Sequence, residues 1–369
     1  MARTRWGCLC LAALLLLTLP ACGPSGQGEG SSSSDPDVSV LAPLDPAPEE
    51  PDPEPVLPYV NPLTGEGCAA DIGKNRPIAI MLNNLKKALP QLGVSQADII
   101  YELPAEGGIT RMLAVFQSVE GVGDIGSVRS ARDYYVSLAY GHDAVFLHAG
   151  GSPQAYDAIQ DWGVTALDCV NGPYEGTLFW RDKERWQNAG KEHSVLTSGE
   201  TILELLPTYR RVELEHREGF DPGLSFMADG ETAAGESAAR LEVKFSNYKT
   251  GVFTYDPDSG LYLIEEYGAP YVDGNTGEQV GVKNVLVLYT DISSIRGDSE
   301  GRLSVRTTGT GDGLFLCDGR QQPITWSKAS HSSPMTYLDS QGNPLELGVG
   351  HTYVNIVSGP SAVTVHSDP

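Results

Sequence analysis

The chain predicts an α+β fold: a mixed α/β N-terminal domain followed by a β-rich C-terminal domain. Three observations predict it. Helical and strand patterns interleave between about residues 76 and 206. A small-residue acidic stretch, MADGETAAGESAA, follows near Phe226. Beyond it, short alternating apolar runs are separated by DPDSG, DGNTG and TGDG turns, the pattern of successive strands.

The N-terminal elements follow in order. RPIAIML from Arg76 is an apolar run bounded by Pro and Asn, which reads as a buried strand. SQADIIYE gives a helical turn and a strand ending at Glu102; PAEGG is a turn; ITRMLAVFQS is a second strand, so the pair predicts a hairpin. SVRSARDYYVSLAYGHD predicts a helix from near Ser130, and AVFLHAGG a strand. Ser152 and Pro153 provide an N-cap and a first helical residue for a helix to about Trp162. Thr197 to Glu200 spell a capping box before TILELL. In the second half LEVKFS, GVFTYDPDSGLYLIEE, NVLVLYTDI, RLSVRTTG, GLFLCDG and LELGVGHTYVNIV read as strands.

Four segments result. Residues 1–22 read as a lipoprotein signal, 23–60 as a disordered acidic Pro/Ser/Gly tether, 61–228 as the α/β domain and 240–369 as the β-rich domain. The signal has Arg3 and Arg5, a short apolar run and the lipobox-like Leu19-Pro20-Ala21-Cys22. Cys22 is the expected lipidation site, which places the protein at the outer face of the cytoplasmic membrane with the lipid as its membrane contact. The tether carries eight acids and no Lys or Arg, and its composition buries no core.

The 369 residues carry a formal net charge of −23. Such a surface repels nucleic acid, so no nucleic-acid partner is expected. Cys68, Cys169 and Cys317 remain after the signal, far apart and odd in number. They leave open one disulfide with a free thiol, or three buried thiols. No Cys/His spacing suggests zinc, and no metal or cofactor is expected.

Candidate chemistry concentrates in residues 83–193. Glu102 and Glu106 flank the hairpin turn, and Arg111 leaves it on a face shared with Ile109, Leu113 and Val115. A buried Arg needs a partner, and either Glu serves, as a structural pair or as a pocket wall. Arg129 and Arg132 stand at the expected helix start, where an Arg fork suits a carboxylate or phosphate; Asp133 is a competing partner for Arg132. His148 ends a strand before Gly150, Gly151 and Ser152, an arrangement that aims helix-start amides at an anion or simply makes a tight turn. Arg181 lies among aromatics, and His193 precedes the capped helix. Glu102, Glu106, His148 and His193 are therefore the catalytic candidates. Arg111, Arg129, Gly150, Gly151, Ser152 and Arg181 are the ligand-binding candidates. Glu106, Arg111, Arg129 and His148 are expected on one concave surface. No G-x-S-x-G elbow supports a serine hydrolase.

These residues also carry a resemblance. NPLTG at Asn61, RPIAIMLNN at Arg76, SQADIIYE at Ser95, EGGITRMLAVF at Glu106, GSVRSAR at Gly126, HAGGSP at His148, FWRD at Phe179 and EHSVLT at Glu192 resemble the YerB-like bacterial lipoproteins. The match is looser in GDGLFLCDG, ITWSK and LGVGHTYVNIV. The resemblance implies a lipid-anchored envelope protein with two domains of unknown function, and no known activity. The family pattern favours an acid where this chain has Asn83. The expected function is binding of an envelope ligand, such as a peptidoglycan fragment, in an N-terminal cleft. Two alternatives stand beside it: a hydrolase or transferase using Glu102 or Glu106 with His148, and a scaffold for a membrane-protein partner.

Overall fold

The computed structural model describes residues 57–228 and 230–368; the signal, Cys22 and nearly all of the tether lie outside them. Strands β1 (Ile78–Asn83), β2 (Ile99–Pro104), β3 (Thr110–Phe116), β4 (Asp124–Gly126), β5 (Val145–His148), β6 (Ala166–Asp168), β7 (Trp180–Arg181) and β8 (Val195–Ser198) alternate with helices α1 (Asp133–Gly141), α2 (Pro153–Trp162), α3 (Lys183–Asn188) and α4 (Gly199–Leu205). The remainder supplies β9 (Arg240–Lys244), β10 (Thr250–Asp256), β11 (Leu261–Glu266), β12 (Asn284–Tyr289), β13 (Gly309–Cys317), β14 (Arg320–Lys328), β15 (Thr352–Val357) and β16 (Val363–His366). The chain is sheet-rich, and the four α-helices among the described residues all precede residue 206.

One eleven-stranded sheet dominates, and its main path runs β14-β13-β12-β15-β2-β3-β1-β5-β6. The hairpin read from the sequence is its centre: β2 and β3 pair antiparallel, with Leu103 opposite Arg111. The last long strand, β15, enters beside β2 in parallel, aligning Tyr101 with Val354 and Glu102 with Asn355. The segments 61–228 and 240–369 therefore share this sheet. The change of texture at 228–240 separates two kinds of element order inside one compact unit, Pro55–Pro369.

Alternation along the strands sorts side chains to two faces. In β1, Ala79 and Met81 join a core with Tyr134, Tyr135 and Leu138 of α1 and Ala155 of α2. Ile78, Ile80 and Leu82 face the opposite core, with Val195, Ile202, Leu241, Phe253 and Ile264. Both cores draw on both halves of the sequence. A smaller sheet, β11-β10-β9-β16, and the three-stranded β4-β8-β7 complete the body.

Local signals held where side chains cap. Ser152 accepts from the Ala155 N–H, with Pro153 at the first position of α2. For α4 the cap is Ser198, one residue later than the expected Thr197, whose hydroxyl instead donates to the Leu178 carbonyl. Helix α1 begins at Asp133, not near Ser130. Arg129 and Arg132 therefore precede it on extended chain and share no helical face. Cys68, Cys169 and Cys317 are free thiols, the last two buried.

Just after α1, His142 is buried with its Nε2 2.8 Å from the Tyr101 hydroxyl. Burial pushes its imidazole down to about 3. The folded state thus refuses a proton that the unfolded chain binds below about pH 6.5, so stability falls as pH drops from about 6.5 towards 3. We expect urea midpoints to decline across that window, and His142→Leu to flatten the decline. Equal slopes in the two proteins would remove His142 as its source.

Candidate functional site

The site is built on an extended segment laid against the end of β1. Val128 bridges Leu82, and the Arg129 N–H donates to the Met81 carbonyl at 2.8 Å. On its other side Ala149 donates to the Arg129 carbonyl and Ala131 to the Gly150 carbonyl. The Ser130 hydroxyl donates to the Ala149 carbonyl at 2.9 Å. Gly150 sits at φ +78°, a conformation that favours glycine and turns the chain from β5 into α2.

Above this floor lies a pocket of about 500 Å³. Arg129, Arg181 and Lys191 enter it, Gly150, Gly151 and Tyr156 form one wall, and Glu192 lies at its edge. Arg129 is steadied by the Glu192 carbonyl at 3.0 Å, while its buried Nε has no hydrogen-bond partner among the described residues. Arg181 pairs with Glu175 at 2.7 Å and donates to the Lys191 carbonyl at 2.9 Å. The Arg181 and Lys191 cations lie 5.9 and 5.4 Å from the Trp186 ring centroid. A larger recess, about 750 Å³, lies by Tyr174, Tyr209 and Arg210, away from the predicted residues.

Of the expected concave group, only Arg129 lines the pocket. Arg111 is buried behind it, donating to the Ser130 carbonyl at 2.5 Å and to Glu106 at 2.7 Å. Arg132 also pairs with Glu106, so one carboxylate serves two guanidiniums. Burial alone would raise the Glu106 carboxyl, but Arg111 and Arg132 hold it below its ordinary range. The two readings of Arg111 thus resolve to a structural cluster under the pocket floor.

His148 is also enclosed. Its Nδ1 lies 2.9 Å from the Gly150 carbonyl and its ring stacks on Phe146. Burial lowers its pKa, and the ring holds the glycine turn through Nδ1 and the Gly150 carbonyl. The helix-start amides are largely spoken for. Gly150 N–H donates to Asp168 at 2.7 Å, and Ser152 N–H to the Ala131 carbonyl. Asp168 also accepts from the Val170 N–H and the Tyr156 hydroxyl, each at 2.8 Å. This carboxylate, unremarked in the sequence, fills the anion position predicted for a ligand. Its own burial would raise its pKa, but His148 and these donors hold it low.

His193 is buried with Nδ1 2.6 Å from Asn83 Nδ2. Asn83 donates there, which leaves the ring proton on Nε2, 3.5 Å from Glu192. Burial, and then the Arg129 charge, lower its pKa. Glu102 shares no hydrogen bond with these residues and is locked in a polar cluster at the junction of β2 and β15. It accepts from Asn84 at 2.7 Å, Thr110 at 2.5 Å and Tyr353 at 2.6 Å. Glu102, Glu106 and His148 therefore share no open cavity, and the pairing of Glu102 or Glu106 with His148 on which the alternative hydrolase or transferase reading rests is not assembled.

Two family profiles match the chain: the N-terminal domain of DUF3048, a protein of unknown function, over residues 63–210, and its C-terminal domain over 241–354. The chain belongs to the DUF3048 family. DUF3048 relatives include "Putative lipoprotein YerB" of Bacillus subtilis (strain 168), 30% identical over 306 residues, which cover 82% of this chain and 88% of that one. The crystal structure of the B. subtilis YerB protein superposes with a TM-score of 0.73 at 29% identity, covering 84% of this chain and 99% of that chain. The two DUF3048 segments fall within residues 61–228 and 240–369. No helix among the described residues is long and apolar enough to cross a membrane.

Proposed function

We propose that this chain is a lipoprotein anchored through Cys22 at the outer face of the cytoplasmic membrane, and that its body binds an anionic envelope ligand in the Arg129 pocket. The observation that carries the ligand class is the convergence of Arg129, Arg181 and Lys191 on one concavity of a strongly acidic protein. Long-range repulsion from the acidic surface selects against extended polyanions, and the local guanidiniums favour a single carboxylate. A peptidoglycan fragment with a free peptide carboxylate fits both conditions. The reading is of binding rather than hydrolysis, because Glu102 and His148 are enclosed and Glu106 is taken up by Arg111 and Arg132.

Incubating the body, residues 55–369, with purified cell wall tests this. We expect retention that salt weakens, with no released fragments. Release of soluble fragments favours an enzyme, and no retention removes the wall as the ligand source.

A further inference from the structure

The unexplained feature of the molecule is a charged cluster inside the core. Lys249, Glu102 and Glu266 are 1%, 0% and 2% exposed. Lys249 precedes β10, and Glu266 ends β11, the adjacent strand, where it pairs with Gly251. Lys249 Nζ is in direct contact with Glu266 Oε2 and lies 3.2 Å from Glu102 Oε1. Among the described residues no donor other than Lys249 reaches either oxygen of Glu266. A buried carboxylate so poorly satisfied is costly, and an ion pair recovers only part of that cost.

The surroundings suit a reaction that removes both charges. The Tyr267 ring covers Nζ, 4.8 Å to its centroid. Tyr267 itself is held at φ +55°, an uncommon conformation for an aromatic residue, with its hydroxyl donating to the Asn84 carbonyl at 2.5 Å. Phe253, Tyr271 and Tyr353 are fully buried in the core on this side of the sheet. Burial lowers the Lys249 pKa, which favours the nucleophilic amine. Glu102, by contrast, is well supplied with donors and is held in place beside the nitrogen.

We propose that Lys249 and Glu266 condense to an intramolecular isopeptide bond, with Glu102 as the proton carrier. One proton passes from the ammonium to Glu266, giving an amine and a carboxylic acid. The Nζ lone pair attacks Cδ of Glu266. Glu102 takes one of the two remaining Nζ protons and delivers a proton to the departing hydroxyl. The N–Cδ bond forms, the C–O bond breaks and one water leaves; nothing is oxidised or reduced. Fixed proximity in an enclosed core drives a condensation that dilute water opposes. The product is a neutral amide linking the turn before β10 to the end of β11.

Peptide mapping of the full-length chain tests this. Trypsin cuts after Lys244, Lys249 and Lys283, with no Lys or Arg between 249 and 283. The bond blocks cleavage at Lys249. We expect one peptide, 245–283, lighter than its sequence mass by one water, with no backbone fragments resolved between 249 and 266. Separate peptides 245–249 and 250–283 from the wild-type protein overturn the proposal. In Glu102→Gln the same separate peptides are expected. A cross-link formed as in wild type would overturn the role assigned to Glu102. Because the wild-type map is decisive alone, a folding defect in the variant leaves the proposal falsifiable.

Discussion

Glu106→Ala is expected to lower the unfolding free energy by about 3 kcal/mol or more, the range for breaking a buried ion pair by removing one partner. The reason is a two-to-one arrangement. Arg111 and Arg132 are both buried, and Glu106 is the carboxylate that pairs with both. Its loss leaves two guanidiniums in low dielectric, repelling each other, under the pocket floor. Glu106→Gln should cost less, because one acceptor oxygen remains. Urea denaturation checks both. A midpoint unchanged in Glu106→Ala would show that the guanidiniums find water, and the cluster would lose its structural role. The pairing also predicts acid sensitivity. The Glu106 pKa is depressed in the fold, so its contribution is present above about pH 4 and is lost as pH falls further.

The second large effect is expected at Asp168. Its carboxylate holds the Gly150 and Val170 amides and the Tyr156 hydroxyl. Charge-assisted bonds of this kind contribute about 1.5–3 kcal/mol each, and they are not additive here because they share one carboxylate. Asp168→Ala should therefore cost roughly 3 kcal/mol. It should also weaken ligand binding, although Asp168 does not line the pocket, because Gly150 and Gly151 form its wall. Thermal melting and anion titration of the same variant check the two effects. Lost stability with intact binding would mean that the turn is held by other contacts, chiefly His148.

Much of the N-terminal half was legible because its signals are local. The β2–β3 hairpin follows from alternation around a Gly-Gly turn, and α2 from a Ser-Pro cap. What the sequence hid is set by long-range pairing. Nothing near Glu102 announces that Lys249 lies beside it, since the two meet only because β15 enters beside β2 and the β10–β11 hairpin folds over that seam. Asp168 was missed for a related reason. It ends a short strand, β6, and its role depends on a parallel register with β5 that places it beside His148. Arg129 lines the pocket not from a helix start but from extended chain pinned between Met81 and Ala149. Arg181 reaches the same pocket from β7, while Arg111, on the apolar face of β3, was drawn beneath it by Glu106.

The central claim is that the Arg129 pocket holds a ligand carboxylate, and calorimetric titration tests it most directly. The body, residues 55–369, is titrated with a soluble muropeptide bearing a free carboxylate, beside Arg129→Ala and the exposed-surface control Arg296→Ala. A charge-assisted bond in a partly dry site contributes about 1.5–3 kcal/mol, so Arg129→Ala should weaken binding about tenfold or more at an unchanged melting temperature. Arg296→Ala should bind as the wild type does. No binding by the wild type, or equal affinities for all three proteins, would contradict the account.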